Sequence, residues 1–144
     1  MSIRIVQNPI LSVGGIDHVT IVSDDLERTL AFYTEVLGMR HIERPDFGFP
    51  GLWLQAGNTQ IHVNESGADQ GGRAGIVDGG ARTPSIGFHI AFTVEDGEAA
   101  AERIAGAGFE IIDGPRRRPD GLHQFYLHDP DGYLIEICSK PVSQ

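Results

Sequence analysis

Apolar positions along this chain switch between a spacing of two residues and a spacing of three to four, which predicts alternating strands and helices. The first helix follows a strand at residues 16–22, and its apolar face is formed by Leu26, Leu30, Tyr33 and Leu37. Asp24-x-x-Glu27 resembles a capping box at the start of this helix, and Gly38 is placed for a left-handed cap at its end. The pattern therefore predicts a strand followed by a helix in residues 16–38.

A second strand and helix repeat this arrangement later in the chain. Residues 87–94 are rich in apolar and β-branched side chains, and Glu95-Asp96 opens a helix that stops at Gly108. The apolar face of this helix is formed by Ala101, Ile104 and Ala107. Each helix gives way to residues typical of extended structure, at 40–43 in the first copy and at 109–112 in the second.

Both copies also end alike, with a strand, a tight turn and a further strand. In the first copy Gly57-Asn58 separates two strand-like runs, and in the second copy residues 129–132 (DPDG) do so. Glycine, asparagine and aspartate favour such turns because they tolerate positive φ angles. Each half is thus predicted to be a βαβββ module. The fold class is therefore α+β, with two paired βαβββ modules.

The same pattern gives the domain organisation of the chain. Residues 1–14 form an N-terminal arm, 15–65 the first module and 86–140 the second, so that one domain spans 15–140. Between the modules, residues 66–85 contain six glycines without apolar periodicity, which predicts a linker.

Composition narrows the class of protein and its partners. The chain has 144 residues, 40% apolar and 22% charged, as in a globular domain, and no apolar run long enough to span a bilayer. A net charge of -9 argues against binding to nucleic-acid backbones. A single cysteine and a start unlike a signal peptide favour the cytoplasm. We therefore expect a cytoplasmic protein with a small-molecule substrate and no nucleic-acid or membrane partner.

One polar residue recurs within the apolar strands of each half: His18 and His62 in the first, His89 and Glu136 in the second. The separation is 44 residues in the first pair and 47 in the second. Because strand side chains alternate between faces, the apolar neighbours should face the helices and these four residues the opposite side. Their predicted neighbours on that side are Thr20, Gln60, Asn64, Ala91 and Leu134. Three imidazoles and a carboxylate suit a divalent metal such as Zn, Ni, Fe, Co or Mn.

The residues around these positions resemble a known family. The matching stretches are 17–19 (DHV), 32–39 (FYTEVLGM), 61–63 (IHV), 88–92 (FHIAF) and 129–137 (DPDGYLIEI). They are similar to the vicinal oxygen chelate superfamily, which includes glyoxalase I, methylmalonyl-CoA epimerase, extradiol dioxygenases and bleomycin-resistance proteins. The resemblance covers about residues 15–139 and implies two βαβββ modules whose sheets curl around a metal cleft.

The resemblance also implies ligands, an assembly and a chemistry. The family's metal-ligand positions fall on His18, His62, His89 and Glu136, and a homodimer is expected, with the site of some members lying between subunits. Glyoxalase I usually has Glu or Gln where this chain has His62, so only Glu136 matches a carboxylate that can act as base. A metal in such a site stabilises negative charge that develops on substrate oxygens.

Three functions remain open at this point. The first is a metal-dependent glyoxalase-type lyase or isomerase that acts on a small oxygenated or thiol-linked metabolite, with Glu136 or a metal-bound hydroxide as base. The second is an extradiol Fe(II) dioxygenase, which needs about three free metal positions and so requires that His62 is not a ligand. The third is a non-catalytic protein that binds an antibiotic or another small molecule, as the bleomycin-resistance members do.

Further candidates surround the predicted ligands. His123 begins the strand before the DPDG turn and is a candidate acid–base group. Candidate substrate-binding residues are Trp53, Gln60, Asn64, Phe125 and Arg118, of which the arginine could hold a substrate carboxylate or phosphate.

Overall fold

The computed structural model describes residues 2–67 and 87–140 of the chain. All but the first two residues of the predicted linker, 66–85, lie outside this part. Residues 2–17 precede the first strand and join neither sheet. No helix in the described ranges is long and apolar enough to cross a membrane.

The first module forms a four-stranded mixed sheet with the strand order β1-β4-β3-β2. β1 runs parallel to β4, and the other pairs are antiparallel. Helix α1 (Leu26–Ala31) follows β1 and continues into a π-helical turn at Phe32–Val36. The strands are β1 (His18–Ser23), β2 (Arg40–Ile42), β3 (Gly51–Ala56) and β4 (Thr59–Glu65).

The second module repeats this topology with the strand order β5-β8-β7-β6. β5 runs parallel to β8, and helix α2 (Gly97–Gly106) follows β5. The strands are β5 (Ile90–Val94), β6 (Asp113–Arg117), β7 (His123–His128) and β8 (Leu134–Ser139). Two matching four-stranded sheets confirm the predicted α+β fold of paired βαβββ modules.

The element boundaries differ from the predicted ones at the starts of β1 and β5, which begin two and three residues later, at the cap of α1 and at the start of β6. The side chain that caps α1 is Asp25, whose Oδ1 accepts from the Arg28 amide at 3.0 Å, and not Asp24. The strand expected at 109–112 begins only at Asp113 and runs through the basic segment that follows. β6 begins later because Phe109 is still bonded to the end of α2, its amide donating to the Ile104 carbonyl.

The two modules join through a polar turn of the second module. Tyr33 donates to Asp129 Oδ2 at 2.7 Å, and Ser23 donates to Asp131 Oδ1 at 3.1 Å. The Val22 amide also donates to the Tyr133 hydroxyl at 3.0 Å. Buried carboxylates are costly unless donors such as these satisfy them. Beside this turn, the helix-side faces of both sheets form one apolar cluster. The modules therefore pack through their helix sides and leave the other sheet faces for the predicted ligands.

Candidate metal-binding half-sites

Glu136 is the centre of the polar group in the second module. It lies in β8, directly opposite Ala91 on one side and Tyr126 on the other, and is 6% exposed. Tyr126 donates its hydroxyl hydrogen to Oε1 at 2.7 Å. The other carboxylate oxygen, Oε2, lies 4.0 Å from His89 Nε2. The carboxylate is thus held through one oxygen and directs the other toward the imidazole.

Neighbouring polar groups hold this carboxylate further. With its amide oriented to satisfy both its groups, Gln124 donates to Glu136 Oε1 at 2.6 Å and accepts from Arg116 Nε at 3.3 Å. Burial and the hydrogen bond to Glu136 raise the pKa of Tyr126 well above its usual value. Tyr126 therefore stays protonated and remains a hydrogen-bond donor to Glu136 across the physiological range.

His89 immediately precedes β5 and faces the same side as Glu136. Its Nδ1 lies 2.9 Å from the Gly87 carbonyl oxygen, which can only accept a hydrogen bond, so Nδ1 carries the proton. The other ring nitrogen, Nε2, faces Glu136. A backbone carbonyl that fixes the tautomer in this way is a usual partner of metal-binding imidazoles.

Stacked rings form the polar group of the first module. His18 and His62 lie face to face with ring centroids 3.9 Å apart, and Trp53 covers the other face of His62 at 4.1 Å. The sheet register explains this stack, because Trp53, His62 and Thr20 are direct cross-strand neighbours on the same face. Two imidazoles are thereby brought together on one side of the sheet.

Polar neighbours orient these two rings. His18 Nδ1 pairs with Asp17 Oδ2 at 2.6 Å, and His62 Nε2 lies 2.8 Å from Gln60 Oε1. Burial lowers the pKa of His62, and the charge of His18 lowers it further. Neutral imidazole is the form that binds metal ions, so both features suit a ligand role.

The four predicted ligands do not converge within one chain, contrary to the expectation that one surface would present all of them. Residues 2–67 and 87–140 contain no group of three or more His, Cys, Asp or Glu side chains able to hold a metal. The reason is the topology, which places one pair in each of two separate sheets. We call these pairs the N-terminal half-site (His18, His62) and the C-terminal half-site (His89, Glu136).

The chemistry of each half-site fits a divalent transition metal. Imidazole nitrogen and carboxylate oxygen are ligands for such ions, and Glu136 is a buried carboxylate with one oxygen left to a cation or a proton. Asp17 and the Gly87 carbonyl supply the second hydrogen bond that ligand imidazoles usually make. Each half-site offers two donors, which is half of a four-ligand set.

The remaining predicted site residues fall in different places. Trp53 and Gln60 contact His62, and Asn64 lies two residues farther along the same face of β4. Arg118 is paired with Asp120 in the loop after β6, with 2.6 Å between Nη2 and Oδ2. Of the candidate substrate-binding residues, Trp53, Gln60 and Asn64 therefore lie beside the N-terminal half-site.

Two predicted residues lie on the helix side of the second sheet. His123 Nε2 is 3.0 Å from Glu98 Oε1 of α2, because its position in β7 alternates with that of Tyr126. Phe125 is fully buried in the core. Neither side chain lies on the face of Glu136, so neither belongs to the half-sites.

The polar partners of Glu136 were missed in the sequence. Tyr126 lies opposite Glu136, and Gln124 lies two residues before Tyr126 on the same face of β7. The sequence did carry a signal for both residues. The DPDG turn fixes the register of the β7–β8 hairpin, and the residue that faces Glu136 can be found by counting outward from the turn along each strand. Arg44, in the loop after β2, had no comparable signal in the sequence.

A cavity of about 1190 Å³ lies between the modules. Its lining is mainly apolar and comes from the helix sides of both sheets, including Val19, Ile61, Phe92 and Ile104. His89 is the one predicted ligand that borders it. The chemistry of the candidate site therefore lies on the opposite sheet faces.

Comparison with known proteins agrees with this architecture. The family model of the Glyoxalase/Bleomycin resistance protein/Dioxygenase superfamily matches residues 15–137. The match covers both half-sites and all but the last three residues of the second module. The chain therefore belongs to this superfamily.

Individual relatives fall within the same group. A lactoylglutathione lyase from Salmonella typhimurium is 32% identical over 126 residues, which cover 83% of this chain and 88% of that protein. An ethylmalonyl-CoA/methylmalonyl-CoA epimerase from Cereibacter sphaeroides is 29% identical, with 87% and 97% covered. A solved glyoxalase-family structure from Bacillus anthracis has a TM-score of 0.70 at 29% identity, with 91% and 98% covered. A lyase and an epimerase among the relatives support a glyoxalase-type enzyme.

Proposed function

We propose that this protein is a metal-dependent lyase or isomerase of the glyoxalase type. It acts on a small oxygenated or thiol-linked metabolite and moves a proton at a carbon next to a carbonyl group. The lyase and epimerase among its relatives support this class of reaction. The working form we propose is a homodimer, because each chain carries two halves of a ligand set.

The geometry of Glu136 carries this proposal. Oε1 is engaged by Tyr126, while Oε2 faces His89 Nε2 at 4.0 Å. A general base needs a free lone pair at a fixed position, and the hydrogen bond to the other oxygen provides that fixed position. Glu136 Oε2 has two lone pairs, so this one atom can serve both as a metal ligand and as the base that takes the proton from the substrate carbon and returns it to the product.

A divalent ion, such as Zn, Ni, Fe, Co or Mn, would be held by His18, His62, His89 and Glu136. When bound, it would supply the positive charge that stabilises negative charge developing on a substrate oxygen. Asp17, Gln60 and the Gly87 carbonyl orient the imidazole rings. The protein's own contribution is thus a prearranged set of donors and a fixed base.

We place each complete site between two protomers. The N-terminal half-site of one chain would meet the C-terminal half-site of the other, giving two equivalent sites related by a twofold axis. The support for this arrangement is that no group of three potential ligands lies within the described part of one chain.

Mixing two inactive variants tests the proposal. In a 1:1 mixture of His62→Ala and Glu136→Gln protomers, half of the dimers are mixed, and each mixed dimer has one site with both halves intact. Activity should return to about a quarter of the wild-type value after subunit exchange. The measurement is turnover of hemithioacetal and acyl-thioester substrates before and after mixing. No recovery, with dimers confirmed by ultracentrifugation, would contradict a shared site.

One observation supports a second candidate, an Fe(II) dioxygenase. His62 Nε2 is engaged by Gln60, and the His62 ring lies between Trp53 and His18. If His62 orients the site without binding metal, three ligands remain and form the facial triad of such enzymes. Metal analysis of protein purified without an affinity tag separates the candidates. Iron with oxygen uptake on catechols would replace the lyase or isomerase proposal.

A further inference from the structure

We infer that Arg44 forms an anion-binding subsite beside the N-terminal half-site, and that its ligand is a carboxylate carried on a flat or apolar body. The subsite would position the substrate next to the metal. The role in positioning the substrate rests on the proposed function, whereas the binding of an anion at Arg44 requires no metal.

The position of Arg44 follows from the sheet register. Ile42 of β2 pairs with Trp53 of β3, so Arg44, two residues later, points to the same side as Trp53. Gly51 provides the space for its guanidinium group. A Cβ atom at Gly51 would lie 3.0 Å from Arg44 Cζ and 2.6 Å from the Val63 carbonyl oxygen. The Arg44 guanidinium group therefore lies over Gly51, on the side of the sheet that carries the N-terminal half-site.

Two nitrogen donors of Arg44 have no hydrogen-bond partner among residues 2–67 and 87–140. Nη1 donates to the Phe49 carbonyl at 3.1 Å, whereas Nε and Nη2 are buried and form no hydrogen bond in the part of the chain described. The N–H bonds of Nε and Nη2 lie along one edge of the guanidinium plane and point in the same direction. This edge matches the two oxygens of a carboxylate. Donors buried without an acceptor are unfavourable, which favours an oxyanion at this edge.

Aromatic side chains connect this edge to the half-site. Arg44 Cζ lies 4.8 Å from the ring centroid of Phe47 and 4.9 Å from that of Phe49. Phe47 is 6.0 Å from Trp53, which stacks on His62. A strip of aromatic rings thus runs from the Arg44 guanidinium group to His62. It favours a carboxylate whose attached group is flat or apolar over a small, fully hydrated anion.

Access to Arg44 depends on the loop between β2 and β3. The covering rings of Phe47 and Phe49 are 52% and 40% exposed. Residues 43–50 form neither helix nor strand, so these rings can move without breaking strand pairing. Displacement of the rings would open the edge formed by Nε and Nη2.

Trp53 provides a direct probe, because it is the only tryptophan in the chain and lies within the strip. The full chain, stripped of metal with EDTA, is titrated with phenylacetate, acetate, inorganic phosphate and benzylamine while tryptophan fluorescence is recorded. We expect saturable quenching by phenylacetate, weaker binding of acetate and phosphate, and none of benzylamine. Arg44→Gln should weaken phenylacetate binding about tenfold or more.

Arg40→Gln is the matched control. Arg40 begins β2, on the face toward which Arg44 points, but it is exposed and donates to Gln55, so this variant should bind phenylacetate as the wild type does. Arg44→Lys keeps the charge but lacks the paired donors and should also bind weakly. It serves in place of Arg44→Gln if thermal unfolding shows that the glutamine variant is not folded.

The titrations overturn the inference in two ways. Equal phenylacetate binding by the wild type and both Arg44 variants would show that Arg44 forms no subsite. Tighter binding of phosphate than of phenylacetate would show that the ligand is not a carboxylate. Failure of the proposed function is distinguishable from either result. In that case mixing the inactive variants restores no activity, while binding of phenylacetate still depends on Arg44.

Discussion

The two half-sites occupy equivalent positions of a repeated module but differ in chemistry. The N-terminal half-site is a stack of rings, and the His18 side chain is 39% exposed. The C-terminal half-site is built around the Glu136 side chain, which is 8% exposed and hydrogen-bonded to Tyr126. Imidazoles held by stacking are suited to binding a cation, whereas a carboxylate with one fixed oxygen is suited to moving a proton.

This difference indicates that the first module mainly binds the metal and the second mainly transfers the proton. The same strand positions can hold a ligand in either module, because the repeat fixes which face each side chain occupies. The neighbouring strand then sets the role: Trp53 of β3 lies opposite His62, and Tyr126 of β7 lies opposite Glu136. Variants of the first module should therefore alter mainly metal affinity, and variants of the second mainly turnover.

The largest effect is expected from Glu136→Gln. The variant keeps the size and polarity of the side chain but cannot accept a proton, so we expect kcat to fall by about 10²–10⁴-fold. Steady-state kinetics with saturating metal measure the fall, and bound metal is determined separately. Glu98→Gln is the control, since Glu98 pairs with His123 on the other side of the sheet and its loss should leave kcat unchanged. Full activity of Glu136→Gln would contradict a role as base.

A smaller effect is expected from Tyr126→Phe. The variant removes the hydrogen bond to Glu136 Oε1 while the aromatic ring stays in place. A hydrogen bond to a charged group contributes about 1.5–3 kcal/mol, so kcat should fall about tenfold to a hundredfold. Metal affinity should change less than kcat if Tyr126 serves mainly to position the base. A larger loss of metal affinity than of kcat would show that Tyr126 acts on the ligand instead.

The periodicity of the sequence predicted the helices, the hairpins and the sheet face on which each strand residue lies. Strand alternation places Val19, Ile21, Ile61 and Val63 on the helix side and the four polar residues on the other, and the observed registers agree. The repeat likewise predicted both helices and both hairpins. The shift of β6 to Asp113 was not predictable from local pattern, because a backbone hydrogen bond from Phe109 extends the end of α2.

What the sequence could not provide is the relation between the modules. Alternation says on which face of its own sheet a residue lies, but not whether the faces of two sheets meet in one chain. The contacts of Asp129 and Asp131 with Tyr33 and Ser23 join the helix sides, and this separates the half-sites. Arg44 was missed for a related reason: that two of its donors find no partner in the described ranges depends on how the loop after β2 folds back.

The smallest effect is expected from Trp53→Phe, which tests the first module alone. The variant keeps an aromatic ring against His62 but reduces the stacked area. Aromatic pairs contribute about 0.5–1.5 kcal/mol, so we expect metal affinity to fall about twofold to tenfold. Competition with a chelator measures this affinity, and kcat at saturating metal should match the wild type. If kcat of Trp53→Phe fell as much as that of Tyr126→Phe, substitutions in both modules would impair turnover equally. That result would contradict the division between a metal-binding module and a proton-transferring module.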